Sequence, residues 1–179
     1  MIAKDEEKVF VANGSMIFLV NANTMNPIEP RFVKSITDLA WDWISGNLYV
    51  VDDELDRVSV LLPVAKTSSP DFTTSVYQHT VMVDNFQRPR FIEVDPVAGF
   101  VFCADVGSDD GKTGAKIERS ILSGEFRQTI VDGASDTFGI SAFTIDTINQ
   151  RLFWFDSKRR AISSSNYDGL RMLVFSTFI

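Results

Sequence analysis

The chain has 179 residues, 45 % apolar and 23 % charged, with a formal net charge of −7. That is the composition of a globular protein of about one domain, not of a disordered one. The acidic balance argues against nucleic acid or an anionic membrane as partner, and no apolar stretch reaches transmembrane length, so direct membrane insertion is not expected.

Residues 1–8 form a mostly charged lead, unlike a signal peptide. Val9 to Asn13 and Met16 to Asn21 read as two strands joined by Asn13-Gly14-Ser15, a strong hairpin signal. The same three residues form an N-glycosylation sequon, which makes Asn13 a possible acceptor, although the turn reading comes first. A proline-bearing loop is expected over Asn23 to Pro30, then a strand over Arg31 to Ser35. A hairpin follows at 39–52 and strands at Arg57 to Leu61 and Thr80 to Asp84. The segment between those two strands, Pro63 to His79, is rich in Ser, Thr and Pro and reads as a long loop. A second hairpin spans 91–105, with a Gly- and Asp-rich loop after it and strands at Lys116 to Ile121 and Arg127 to Val131. A third spans 142–156, followed by strands at Ala161 to Ser165 and Arg171 to Phe175.

The three hairpins are copies of one another. Each carries two aspartates ten positions apart: Asp42 and Asp52, Asp95 and Asp105, Asp146 and Asp156. Each has an aromatic residue three before the second aspartate: Tyr49, Phe102 and Phe153. The first arm is a short apolar strand and the second a nearly continuous apolar run, which suggests a strand buried on both faces. The outer halves repeat as well, since Ile117 to Gly124 matches Ile162 to Gly169. Four short strands per repeat, without a convincing amphipathic helix, point to an all-β propeller of small antiparallel sheets. A jelly roll or sandwich is the alternative, but it does not explain why paired aspartates return every fifty-odd residues.

The stretch Asp42-Trp-Ile-Ser-Gly-Asn-Leu-Tyr-Val-Val-Asp52 resembles the low-density-lipoprotein receptor class B repeat, named for the tetrapeptide Tyr-Trp-Thr-Asp. The tetrapeptide reads Tyr49-Val-Val-Asp52, Phe102-Cys-Ala-Asp105 and Phe153-Trp-Phe-Asp156, so the aromatic and the aspartate hold in all three copies. The resemblance covers residues 9–175. It implies a six-bladed type of propeller, here incomplete at about four blades: repeats at about 39–90, 91–141 and 142–179, preceded by a partial blade at 9–38. The first and last blades of such a segment are expected to expose apolar faces and to self-associate. The resemblance further implies a noncatalytic, protein-binding segment of an extracellular lipoprotein-receptor-related protein, endocytic or signalling. It implies flanking EGF-like modules in a full-length parent and no cofactor. A nidogen-like basement-membrane protein is the nearer alternative, and a six-bladed propeller hydrolase or lactonase the more distant one.

The six repeated aspartates invite a metal-binding or paired-acid reading. A site is normally used once, whereas these carboxylates recur in every repeat, so the structural reading is preferred: they accept backbone N–H bonds that tie the blades together. His79 is the only histidine and is placed at the edge of the long loop, which leaves no histidine cluster for zinc. Asp109-Asp110-Gly111 is a fragment of a calcium-loop pattern without its further ligands. Cys103, the only cysteine, reads as a buried inert thiol. A propeller's ligand face gathers the loops after the second strand and those entering the first. In this chain those loops carry Glu54, Arg90, Lys112 and Lys158, the candidate residues for a partner-binding face, together with Asp53, Asp56, Arg88, Asp109, Asp110 and Arg159.

Overall fold

The computed structural model describes residues 9–21, 24–28, 33–63, 77–108, 113–133 and 138–177. The charged lead at 1–8, Lys112 with the Asp109-Asp110 pair, and most of the long loop after Pro63 lie outside the described residues.

Among the described residues fifteen strands form four antiparallel sheets, each a meander whose neighbours in sequence are neighbours in space. The first sheet holds β1 (Val9–Asn13), β2 (Met16–Asn21) and β3 (Thr24–Ile28). The second holds β4 (Ile36–Trp41), β5 (Leu48–Asp52), β6 (Arg57–Pro63) and β7 (Tyr77–Val83). The third holds β8 (Pro89–Asp95), β9 (Phe100–Asp105), β10 (Lys116–Ile121) and β11 (Gln128–Asp132). The fourth holds β12 (Ile140–Asp146), β13 (Arg151–Asp156), β14 (Ala161–Asn166) and β15 (Leu173–Thr177). The sheets touch through β4, β8 and β12, which pack side by side as the innermost strands of successive blades. This is the radial arrangement of a propeller.

The period of two along each second strand builds the core, because alternate side chains serve opposite neighbours. In β5, Leu48 and Val50 pack towards the first blade with Ile17, Leu19, Ile28 and Val33. Tyr49 and Val51 pack towards the third blade with Ile92, Val101 and Cys103. In β9 the alternation repeats: Phe102 and Ala104 face the fourth blade and meet Leu152 and Trp154. β5 and β9 are therefore buried on both faces, which is why their sequences show no polar alternation, whereas β13 buries Leu152 and Trp154 on one face and leaves Phe153 and Phe155 half-buried on the other.

The first blade has three described strands, and the one it lacks is the innermost. Ile17 and Leu19 of β2 face the next blade as Val58 and Val60 of β6 do. The turn after β1 accepts a hydrogen bond from the lead-in to the next blade, Ile36 N–H to Gly14 O at 3.0 Å. The turn after β5 does the same, Phe86 N–H to Asp56 O at 3.1 Å. β1, β2 and β3 thus correspond to strands two, three and four of a full blade.

Two sequence expectations are corrected. The third strand is Thr24–Ile28, inside the proline-bearing segment, and Val33 to Ser35 are not strand. Pro27 is tolerated because β3 pairs only with β2 among the described strands, so its missing N–H faces an open edge. Val33 is instead a buried plug between the first two blades. The fourth strand of the second blade starts at Tyr77, so His79 lies in a strand opposite Leu61 rather than in a loop.

The outer turns lean on the preceding blade at two glycines. A Cβ on Gly169 would meet Ile130 O at 1.9 Å, and one on Gly124 would meet Met82 O at 2.6 Å. Both glycines also have positive φ, +77° and +90°, so both the close approach and the backbone conformation call for glycine there.

Candidate functional site

The aspartate that ends each second strand is buried and surrounded by backbone donors. Asp52 accepts from Lys34 N–H at 2.7 Å and Ser35 N–H at 3.2 Å in the segment entering its blade. It also accepts from Glu54 and Leu55 N–H in its own turn, at 3.2 and 3.1 Å. Asp105 repeats the pattern with Gln87, Arg88 and Gly107 N–H at 2.7, 3.1 and 2.9 Å. Asp156 does so with Gly139, Lys158 and Arg159 N–H at 3.2, 3.1 and 3.0 Å. A carboxylate offers about four acceptor positions; Asp52 and Asp105 use both oxygens, and Asp156 its Oδ1, to join the loop entering the blade to the turn leaving its second strand.

The aspartate that ends each first strand closes the turn after it. Asp42 accepts from Ile44 and Ser45 N–H at 2.9 and 3.1 Å. Asp95 accepts from Val97 and Ala98 N–H at 3.0 and 2.9 Å. Asp146 accepts from Ile148 and Asn149 N–H, both at 3.0 Å. Side-chain–backbone turns of this kind are the ordinary use of aspartate at a strand end. The bonds to Asn149 also hold the Asp146 carboxyl below its usual range.

The aromatic position of the tetrapeptide works across blades. Tyr49 O–H donates to Leu122 O in the outer turn of the third blade at 3.1 Å, and burial raises its pKa. Phe102 has no hydroxyl. Against it packs Tyr167 from the outer turn of the fourth blade, with ring centroids 4.5 Å apart. Tyr167 O–H donates back to Asp95 Oδ2 at 2.9 Å. Phe153 has no following blade among the described residues and stacks instead on Phe175 within its own sheet, at 6.0 Å.

Three further groups were not singled out from sequence. Asp38, on β4, accepts from Ile92 N–H of β8 at 2.9 Å. Its pKa is raised by burial, against the lowering effect of its backbone bonds. Glu93, on β8, is raised by burial too; a bond to Thr144 opposes this and the Asp38 charge adds to it. Glu118 is buried in the third blade, where it pairs with Arg127 and with Lys116 at 3.1 Å. The Arg127 guanidinium also lies 4.0 Å from the centre of the Phe86 ring and donates to Asp84 O. Asp38 and Glu93 join neighbouring blades directly, and Glu118 holds the Arg127 that does so; single carboxylates outside the repeat carry no sequence signal that marks them.

The described candidate partner residues, Glu54, Arg90 and Lys158, sit on the rim that carries the turns after the second strands. Glu54 is exposed and pairs with Lys34 at 3.2 Å. Arg90 is partly exposed and pairs with Asp53 at 3.5 Å. Lys158 is exposed beside Arg159, whose guanidinium lies 3.6 Å from Asp156. On the same rim, burial raises the Asp56 carboxyl, helped by repulsion from Asp105, Asp53 and Asp52. Asn13 is exposed at its turn. Cys103 is buried, and burial lifts its thiol well above the ordinary value. Among the described residues no group of three or more His, Cys, Asp or Glu is placed to hold a metal ion. No described helix is long and apolar enough to cross a membrane.

No family model matches the chain. The vitellogenin receptor of Solenopsis invicta is 27 % identical over 160 residues, which cover 88 % of this chain and 8 % of that receptor. A chain of the nidogen–laminin complex superposes with a TM-score of 0.68 at 22 % identity, over 93 % of this chain and 64 % of that one. The hydrazine synthase of Kuenenia stuttgartiensis superposes at 0.62 with 15 % identity, over 94 % of this chain and 46 % of that one. At such identities the two structures speak for the fold alone. The chain thus spans a small part of the receptor and under two thirds of the nidogen-complex chain. With the receptor likeness and the strand-by-strand geometry, the chain is a β-propeller segment whose repeats are similar to the low-density-lipoprotein receptor class B repeat.

Proposed function

We propose that this segment is a noncatalytic, protein-binding part of the ectodomain of a lipoprotein-receptor-related protein, endocytic or signalling. The observation that carries the reading is the likeness to the vitellogenin receptor along 88 % of the chain. The chemistry of the repeats supports it. The carboxylates that recur in the blades are spent on backbone N–H groups of their own turns and loops. The acids on the inner strands, Asp38 and Glu93, are held by Ile92 and Thr144. A rigid scaffold with charged loops on one rim suits recognition of a protein surface. On this reading Glu54, Arg90, Lys112 and Lys158 belong to the partner-binding rim, Asn13 is a glycan acceptor, and the segment faces the extracellular space.

A nidogen-like matrix protein is the second reading, favoured by the superposition on a chain of the nidogen–laminin complex. Biolayer interferometry on the immobilised protein separates the two. Saturable binding of purified vitellogenin, without laminin binding, is expected for the receptor. Laminin binding alone would favour the matrix protein. Stoichiometric, tightly held metal by elemental analysis, with neither protein bound, would turn the assignment towards an enzyme.

A further inference from the structure

The two rims of the propeller differ in kind. On the rim opposite the candidate partner residues, the turn after each first strand thrusts one large apolar side chain into water. These are Ile44, 58 % exposed, Val97, 75 %, and Ile148, 90 %. All three sit two residues after the strand-ending aspartate, and each N–H is held by that carboxylate at 2.9–3.0 Å. The tips are therefore fixed in place. Trp43, and Phe126 and Leu170 in outer turns of the same rim, are also largely exposed. On the other rim, no described connecting turn carries an exposed large apolar residue.

The tips form a group. β4, β8 and β12 pack side by side, so the turns that follow them are neighbours. The Tyr167–Asp95 bond holds the outer turn bearing Leu170 against the turn bearing Val97. If a fully exposed aromatic side chain presents about 150–250 Å² and an aliphatic one rather less, these six side chains leave on the order of 700 Å² in water. That exceeds the apolar patch usual on a monomer and approaches the roughly 800 Å² that each partner buries in a specific complex.

We infer that this rim is a contact between two copies of the chain, apposed face to face about a two-fold axis. The apolar area matches what a stable dimer needs, and an isologous contact sets the three equivalent tips against their own kind. The rim carries exposed Glu125 and Asp168 as well as exposed Arg171, so a rotated copy is able to oppose unlike charges. A lipid surface fits less well, because interfacial segments rely on clustered Lys and Arg and this chain is acidic overall. The contact leaves the opposite rim free for a protein partner and does not depend on that reading.

Sedimentation equilibrium from about 1 to 100 µM tests it, with dissociation expected in the micromolar range. The parent is expected to approach the mass of two 20.0 kDa chains and to stop there. The double variant Val97→Asp with Ile148→Asp is expected to stay monomeric with an unchanged unfolding transition, and Phe126→Ser to weaken the dimer. Phe175→Asp, at an exposed position of the last strand, is expected to leave the dimer intact. A parent that is monomeric throughout overturns the proposal. So does a double variant that associates like the parent, or association lost only with Phe175→Asp. Binding of the parent to phosphatidylcholine–phosphatidylserine vesicles, abolished by the double variant, would assign the rim to lipid and overturn the dimer.

Discussion

Tyr167 and Asp95 are 72 residues apart in sequence, yet the Tyr167 hydroxyl donates to the Asp95 carboxylate at 2.9 Å inside the contact between two blades. The preceding contact solves the same problem with the hydroxyl on the other side, where Tyr49 donates to Leu122 O. One buried hydroxyl serves each of these contacts, with Leu122 opposite Tyr49 and the hydroxyl-free Phe102 ring opposite Tyr167.

Removing either hydroxyl is expected to loosen its contact. Tyr167→Phe takes a donor from a buried carboxylate and should cost about 1.5–3 kcal/mol. Tyr49→Phe loses a neutral bond and should cost about 0.5–1.5 kcal/mol. Phe102→Tyr combined with Tyr167→Leu recreates the first type of contact at the second, and should cost less than the sum of its single changes. Urea unfolding of the five variants, the two single changes Phe102→Tyr and Tyr167→Leu included, measures this; strict additivity would show that the two positions are not coupled.

The strand-ending aspartates are expected to matter for stability in proportion to the buried donors they hold. Asp105→Ala orphans three backbone N–H groups and should cost at least about 1–3 kcal/mol. Asp146→Ala frees donors in an exposed turn that water re-solvates, and should cost much less. Equal losses in equilibrium unfolding would contradict the assignment.

Trp154 is buried between the third and fourth blades, with its ring 6.3 Å from Phe138. Trp154→Ala should destabilise by about 3–5 kcal/mol. In a chain where Trp41 and Trp43 are replaced by Phe, Trp154 emission should be blue-shifted and poorly quenched by iodide. A water-like spectrum would place it on the surface.

His79 gives a pH dependence with a definite sign. Burial, and then the Arg57 charge, lower its pKa below 6.5, so the folded state binds the proton less readily than the unfolded chain. The stability this contributes is present above the unfolded value of 6.5 and is lost as the pH falls from there through the lower folded value. An NMR titration of the imidazole should give a midpoint below 6.5, and His79→Gln should flatten the stability profile between about pH 7 and 5.5. A midpoint above 6.5 would reverse the argument.

The sequence carried most of the scaffold because the propeller repeats it. A second strand buried on both faces must be apolar throughout, as Leu48 to Val51 are, and a turn held by a carboxylate needs aspartate at a fixed place. Both leave marks that return at each repeat. The first blade was harder to read, since β3 contains Pro27, which local propensity assigns to a loop and an edge position tolerates. His79 looked like loop for a similar reason: the polar run before it hid the start of an outer strand. The bonds that lock blades together were not legible. Tyr167 finds Asp95, Asp38 finds the backbone of β8, and Arg127 finds Asp84 O only after the strands are stacked. The apolar tips Ile44, Val97 and Ile148 were visible as residues, but only the fold shows that they share one rim.

The central proposal is that the repeated carboxylates hold the scaffold while the charged rim is the partner-binding surface. The most direct measurement is the affinity of immobilised protein for purified vitellogenin, in the parent and in a variant carrying Glu54→Arg, Arg90→Glu and Lys158→Glu. These side chains are wholly or partly exposed and their pairs are of the exposed kind, so the unfolding transition should hardly move. The account predicts affinity weakened at least about tenfold, some 1.4 kcal/mol, in a protein that unfolds like the parent. A variant that binds vitellogenin as tightly as the parent would contradict it.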